Sequence, residues 1–268
     1  VPNFTEWITC SRDFSLRTLE AWDTQRNSIH YCLALWSRMV VALPYLRNDD
    51  RTPSNGIPIQ TLKSCCSTVA TAYVQTMLNS VETVVNDGAE DPLDDEESVR
   101  DALDRLPVIA RLQYDTISNY LNTEFQQMLG LYSQLITWQP QQRKQNTDQI
   151  AIIQGKLTWL VLMTASLVGM QNSTDVRQKE SELIADGSLC RSVFSLVDLS
   201  SKNQYVTDDE GSTKLELAVL EFFKAFKKVF MNDYTGPASS HSSSVSSLRA
   251  ISNVTIPGGS EPHPLIAG

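Results

Sequence analysis

The amino-acid sequence predicts an all-α protein built from helices stacked side by side, on three observations. Apolar residues recur at steps of three and four in one segment after another. No run alternates apolar with polar between hairpin turns, so no strand is expected. The breaks between periodic segments are short and carry Gly, Pro or Asp, as helix–helix connections do.

The first rod runs from Phe4 to Trp22, and Asp23 to Arg26 separate it from the second, Ser28 to Leu43. In the second, Ile29, Cys32, Leu33, Trp36, Met39, Val40 and Leu43 share one stripe, with Asn27 placed as its N-cap and Pro44 as its stop. Two antiparallel helices on a four-residue loop make a helical hairpin. Ile59 to Asp87 repeats the pattern through Leu62, Cys66, Val69, Tyr73, Met77, Val81 and Val84. After Gly88 and Pro92 comes a short helix from about Asp95 to Leu106, and Pro107 is expected to open the next one. That helix aligns Tyr114, Ile117, Leu121, Phe125, Met128, Tyr132 and Leu135 before Pro140. Three more are expected over 147–171, 180–200, with a break near Gly187, and 213–232.

Rods of this kind could form a bundle or a solenoid. Their wide apolar faces need neighbours on both sides, which favours an α-α superhelix of HEAT/armadillo-like repeats, a class known for weak internal similarity. The repeat region is placed at 1–235. Of the 33 residues from Gly236 to Gly268, 17 are Ser, Pro or Gly and only Arg249 and Glu261 are charged, so this end is expected to be a disordered tail or an insertion. The chain opens at Val1 in what already reads as a helix start, the mark of a piece of a longer protein.

Composition narrows the function. The 268 residues are 41% hydrophobic and 20% charged, a globular balance. Five cysteines (Cys10, Cys32, Cys65, Cys66 and Cys190) have no C-x-x-C spacing and are expected as reduced thiols of an intracellular protein. The apolar run from Leu157 to Met170 is 14 residues, shorter than the roughly 20 that span a bilayer, and reads as a core helix. No phosphate-binding loop, nucleophile elbow, zinc-protease or dinucleotide motif is present, and the three His have no ligand spacing. A non-enzymatic protein without metal or cofactor is expected. The five Trp (Trp7, Trp22, Trp36, Trp138 and Trp159) read as packing anchors.

Charge is the one concentrated feature. Of the net −9, the window from Asp87 to Asp104 holds −8, with nine acids against Arg100. Asp94 is placed to cap the helix that follows, with Glu97 in capping-box position. Glu90 and Asp91 have no such structural reason in the local sequence. The group Glu90, Asp91, Asp94, Asp95, Glu96 and Glu97 is therefore a candidate contact for a basic partner and a poor surface for nucleic acid or anionic membrane.

Four strings then bring in a resemblance. Asn27-Ser28-Ile29-His30-Tyr31 with Leu35-Trp36 and Pro44-Tyr45, then Asp87-Gly88-Ala89-Glu90-Asp91-Pro92-Leu93, then Gly155-Lys156-Leu157-Thr158-Trp159-Leu160-Val161, and last Lys214-Leu215-Glu216-Leu217-Ala218-Val219-Leu220 with Phe222-Phe223, follow one another in order. Together they resemble the exportin-7/Ran-binding protein 17 family of nuclear transport receptors, over residues 3 to 232. The resemblance implies an importin-β-type HEAT array, binding of the GTPase Ran in its GTP form, cargo proteins carried past nuclear pore proteins, and shuttling between nucleus and cytoplasm. The resemblance further implies that the superfamily's principal Ran-binding surface lies in N-terminal repeats, which are expected to precede Val1.

Overall fold

The structure is a computed structural model and describes residues 3–47, 56–170, 176–201 and 210–231. Every regular element among these residues is helical: α1 (Phe4–Glu20), α2 (Arg26–Arg47), α3 (Gly56–Asp87), α4 (Glu96–Ala110), α5 (Tyr114–Ile136), α6 (Pro140–Gln145), α7 (Thr147–Gly169), α8 (Val176–Ser201) and α9 (Glu210–Phe226). Residues 236–268, expected as a tail, lie outside the described residues.

The helices form two rows. One row is α1, α3, α7 and α9, each packed on the next; the other is α2, then α4 with α5, then α8. Within the rows, α3, α4, α5 and α7 thus bury one face against a row neighbour and another against the opposite row, while the short α6 packs on α7. This is the arrangement of an α-α superhelix, in which stacked helix pairs share a continuous core. The core follows the expected stripes: Leu33 and Trp36 of α2, Leu62, Cys66 and Val69 of α3, Ile117, Leu121 and Phe125 of α5 are all buried.

The middle of the stack is α7. It is 23 residues long and apolar enough to cross a membrane by length and composition. Here its sides are occupied by α3, α4, α5, α8 and α9. Leu157, Trp159, Leu160, Val161, Met163 and Leu167 point in different directions around it and are all buried. At Gly155 it meets α3 so closely that a methyl group there would sit 2.7 Å from Val81 Cγ1. Lys156 reinforces the seam through an ion pair with Glu82.

Several boundaries differ from the sequence expectation, each for a local reason. The second helix begins at Arg26, one residue before the expected cap, and runs through Pro44 to Arg47. A proline there removes one N–H and crowds the carbonyl four residues back, so it weakens the helix, and α2 runs only three residues beyond it. Pro107 lies inside α4 rather than opening α5, and its carbonyl accepts from Arg111 N. The break comes instead at a 3-10 turn, Arg111–Gln113, ending at Gln113 with φ −141°. Gly187 is buried inside a continuous α8. The short α6 was not anticipated, although Gln139 and Gln142 form a capping box around Pro140.

Polar side chains tie the rows together. Trp36 Nε1 of α2 donates to Ser15 Oγ of α1 at 2.9 Å, both residues being buried. Gln126 of α5 donates to Ser192 Oγ of α8, which in turn donates to Asn122 Oδ1. The largest of these links surrounds Arg111. Its guanidinium pairs with Glu182 of α8, donates to the Leu167 carbonyl of α7 at 2.8 Å, and lies 3.7 Å from Asp186 Oδ2. Its Cζ sits 4.1 Å from the centroid of the Tyr114 ring, and the Tyr114 hydroxyl donates to Asp186.

Two carboxylates thus share one guanidinium in the interior. Burial raises the Asp186 carboxyl most, with Glu182 adding to it, against the pull of Arg111 and Tyr114; the result is about 6. The usual carboxyl ionises near 4, so native Asp186 holds its proton to higher pH than the unfolded chain does. Its contribution to stability is complete below the unfolded value and is lost as pH rises through about 6, roughly 3 kcal/mol for a two-unit rise. Asp186→Asn keeps the acceptor for Tyr114 and removes the charge. The stability of this variant relative to the parent, from urea unfolding at several pH values, is expected to increase between pH 4 and 7; a flat difference would contradict this assignment.

Candidate functional site

The acidic window occupies the connection between α3 and α4. It begins where α3 ends: Gly88, at φ +69°, takes the left-handed conformation that ends a helix, and its N–H bonds the Val84 carbonyl. Asp91 then turns the chain by accepting from Leu93 N at 2.9 Å, ahead of a 3-10 turn over Pro92–Asp94. The cap of α4 is Asp95, one residue later than expected, accepting from Ser98 N at 3.1 Å. The Ser98 hydroxyl and amide hold the Asp95 carboxyl below its usual range. With Ser98 in the third helical position, Glu97 has no reciprocal capping contact.

The counter-charges that the local sequence lacks arrive from far along the chain. Arg26, opening α2, reaches Glu90 twice, at its carbonyl (3.0 Å) and its carboxylate (3.1 Å). Lys214 of α9 donates to Asp91 Oδ2 at 2.8 Å and to Asp94 Oδ1 at 2.7 Å. Partial burial lowers the Lys214 ammonium, but these two hydrogen bonds outweigh it and hold the group above its ordinary range. Further along α4, His30 Nδ1 of α2 lies 2.8 Å from Asp101, which also pairs with Arg105.

The six candidate residues therefore divide. Glu90, Asp91 and Asp94 are tied into the fold by Arg26 and Lys214, and Asp95 is a cap. Glu96 and Glu97 are exposed on the first turn of α4, and among the described residues neither has an ion-pair partner. Sequence reasoning missed Arg26 and Lys214, which are separated from their acids by 64 and by 120 to 123 residues. The remaining chemistry is sparse. Among the described residues no group of three or more His, Cys, Asp or Glu is placed to hold a metal ion. All five cysteines are free, and only Cys10 is exposed.

The strings that carried the resemblance meet in this structure. Lys214, from the last string, binds Asp91 of the second; Arg26, beside the first, binds Glu90 of the second; Gly155 of the third abuts Val81 of α3. Comparison with known proteins agrees. A family model described as exportin-7-like, TPR domain, matches residues 80–253. Exportin-7-B of Xenopus laevis is 30% identical over 233 residues, covering 87% of this chain and 20% of its own length. Ran-binding protein 17 of Mus musculus is 29% identical over 234 residues and Ran-binding protein 16 of Drosophila melanogaster 30% over 233, with the same two shares. The chain thus spans about a fifth of the length of these curated relatives. No solved structure matches it. TPR and HEAT arrays are both stacks of helix pairs, so the family description and the two-row architecture agree. By its matched region and its interlocked motifs, this chain belongs to the exportin-7-like TPR-domain family.

Proposed function

We propose that this chain is a section of an exportin-like nuclear transport receptor, a non-enzymatic carrier that engages protein cargo together with Ran in its GTP form. The partners of this reading are RanGTP, cargo and nuclear pore proteins, and the site of action is the nucleus, the cytoplasm and the pore between them. Nucleic acid and membrane insertion form no part of it. The observation that carries it is family membership, with relatives named exportin-7 and Ran-binding protein.

Within the acidic turn, Glu96 and Glu97 are the contacts for a basic partner surface. The other four candidates, Glu90, Asp91, Asp94 and Asp95, act by holding that turn in place through Arg26, Lys214 and Ser98. Exposed carboxylates with no ion-pair partner among the described residues attract a basic patch with little desolvation to overcome, and chiefly affect association rate and salt dependence.

The test is Glu96→Gln with Glu97→Gln in the intact receptor of which this chain is a section, read by binding to Ran loaded with GTP and then GDP. The pair is expected to weaken RanGTP binding about fivefold to tenfold at physiological salt, with a smaller loss at high salt. Stability should fall by only about 1 kcal/mol, from the lost interaction with the α4 dipole. Unchanged RanGTP affinity would remove these two residues from the interface. Cargo binding with no preference for the GTP form would replace the carrier by a general helical-repeat scaffold.

A further inference from the structure

A polar cleft opens in the middle of the stack, where α3, α5 and α7 meet. Its volume is about 90 Å³, and it is lined by Gln75, Leu78 and Asn79 of α3, Tyr120, Glu124 and Met128 of α5, and Lys156 of α7. Because α3 has α1 on one side and α7 on the other, the cleft lies within the described stack and not at either end of it. It is far smaller than the roughly 300 Å³ at which sites for drug-sized ligands begin, and suits the end of one side chain.

The cleft holds a carboxylate with no counter-charge. Glu124 is half-buried and has no ion-pair partner among the described residues. The two helices that flank it supply no cation. No Lys or Arg occurs between Lys63 and Arg100, which takes in most of α3, or between Arg111 and Arg143, which takes in all of α5. Lys156, the one cation lining the cleft, is already held by Glu82. The Tyr120 hydroxyl faces Glu124, and partial burial first, then that charge, hold the phenol above its ordinary range. Gln75 and Asn79 are exposed, and neither hydrogen-bonds another described residue, so both amide oxygens are open to a donor. Leu78 and Met128 add apolar surface beside them.

A carboxylate and two amide oxygens spread over two helices match a planar group with several donors better than a compact ammonium. The methylenes behind such a group can lie on apolar side chains. We propose that this cleft is a socket for an arginine side chain presented by a protein partner. The guanidinium sits on Glu124 and the amide oxygens of Gln75 and Asn79, and the stem lies over Leu78 and Met128. The socket is separate from the acidic turn and does not rest on the Ran reading.

The test uses the intact receptor of which this chain is a section, with two short peptides, Gly-Arg-Gly and Gly-citrulline-Gly. Each carries a photoreactive group at its N-terminus, and mass spectrometry maps the cross-links. Citrulline keeps the shape of arginine and removes its charge. Cross-links to α3 and α5 beside the cleft are expected at about tenfold higher yield from the arginine peptide, and Glu124→Gln should abolish most of that difference. A lysine peptide is expected to fall between the two, and one that labels as well as the arginine peptide overturns the choice of guanidinium. Equal labelling by the arginine and citrulline peptides, no cross-links at the cleft, or an arginine preference that survives Glu124→Gln each overturn the socket itself.

Discussion

Arg111→Met is expected to cost about 3–5 kcal/mol of folding stability, because it leaves Glu182 and Asp186 buried with no cation between them. Glu182 and Asp186 both belong to α8, while Arg111 ends α4 and also holds the Leu167 carbonyl at the end of α7. One side chain therefore fixes three helices in relative position. Removing a single partner of such a group leaves an uncompensated charge, whereas neutralising all of it often has little effect. The triple variant Arg111→Met, Glu182→Gln, Asp186→Asn should recover most of the loss. Urea unfolding of the three proteins decides it. A loss under about 1 kcal/mol for Arg111→Met alone would show that water, rather than protein, surrounds this cluster.

Trp36→Ala has a comparable effect at the other end of the stack. The Trp36 ring is fully buried and is among the largest side chains in the core. Truncation of a buried Trp costs about 3–5 kcal/mol through lost transfer and an open cavity. The Ser15 hydroxyl loses its donor at the same time, although it retains its own bond to the Ser11 carbonyl. Trp36→Phe separates the two contributions. It keeps much of the packing and removes the N–H, for a loss of about 1–2 kcal/mol. Equal losses in the two variants, by thermal or urea unfolding, would mean that the hydrogen bond rather than the ring joins α1 to α2.

The rods themselves were legible because periodicity reports which face a helix buries. Leu33, Trp36, Val69, Ile117 and Phe125 lie in the core where their spacing put them. What stayed hidden is what spacing does not encode. Arg26 and Lys214 each look like a solvated helix charge until the fold brings them against Glu90 and Asp91. The apparent surplus of acid between Asp87 and Asp104 was thus partly an accounting across distant helices. The cap on α4 fell on Asp95 rather than Asp94 because the 3-10 turn at Pro92 uses Asp94 as its last residue. Pro107 suits the first turn of a helix equally well, and nothing in the local sequence shows that Arg111–Gln113 is the real break.

In a stack of helix pairs, damage stays near its origin, because each pair leans only on its neighbours. Amide hydrogen exchange on the native protein, with and without Trp36→Ala, reads this directly. The two-row architecture predicts faster exchange in α1, α2 and the adjoining part of α3, with α7, α8 and α9 keeping their protection. A uniform loss of protection through α9 would mean a single all-or-none globule and would contradict the solenoid.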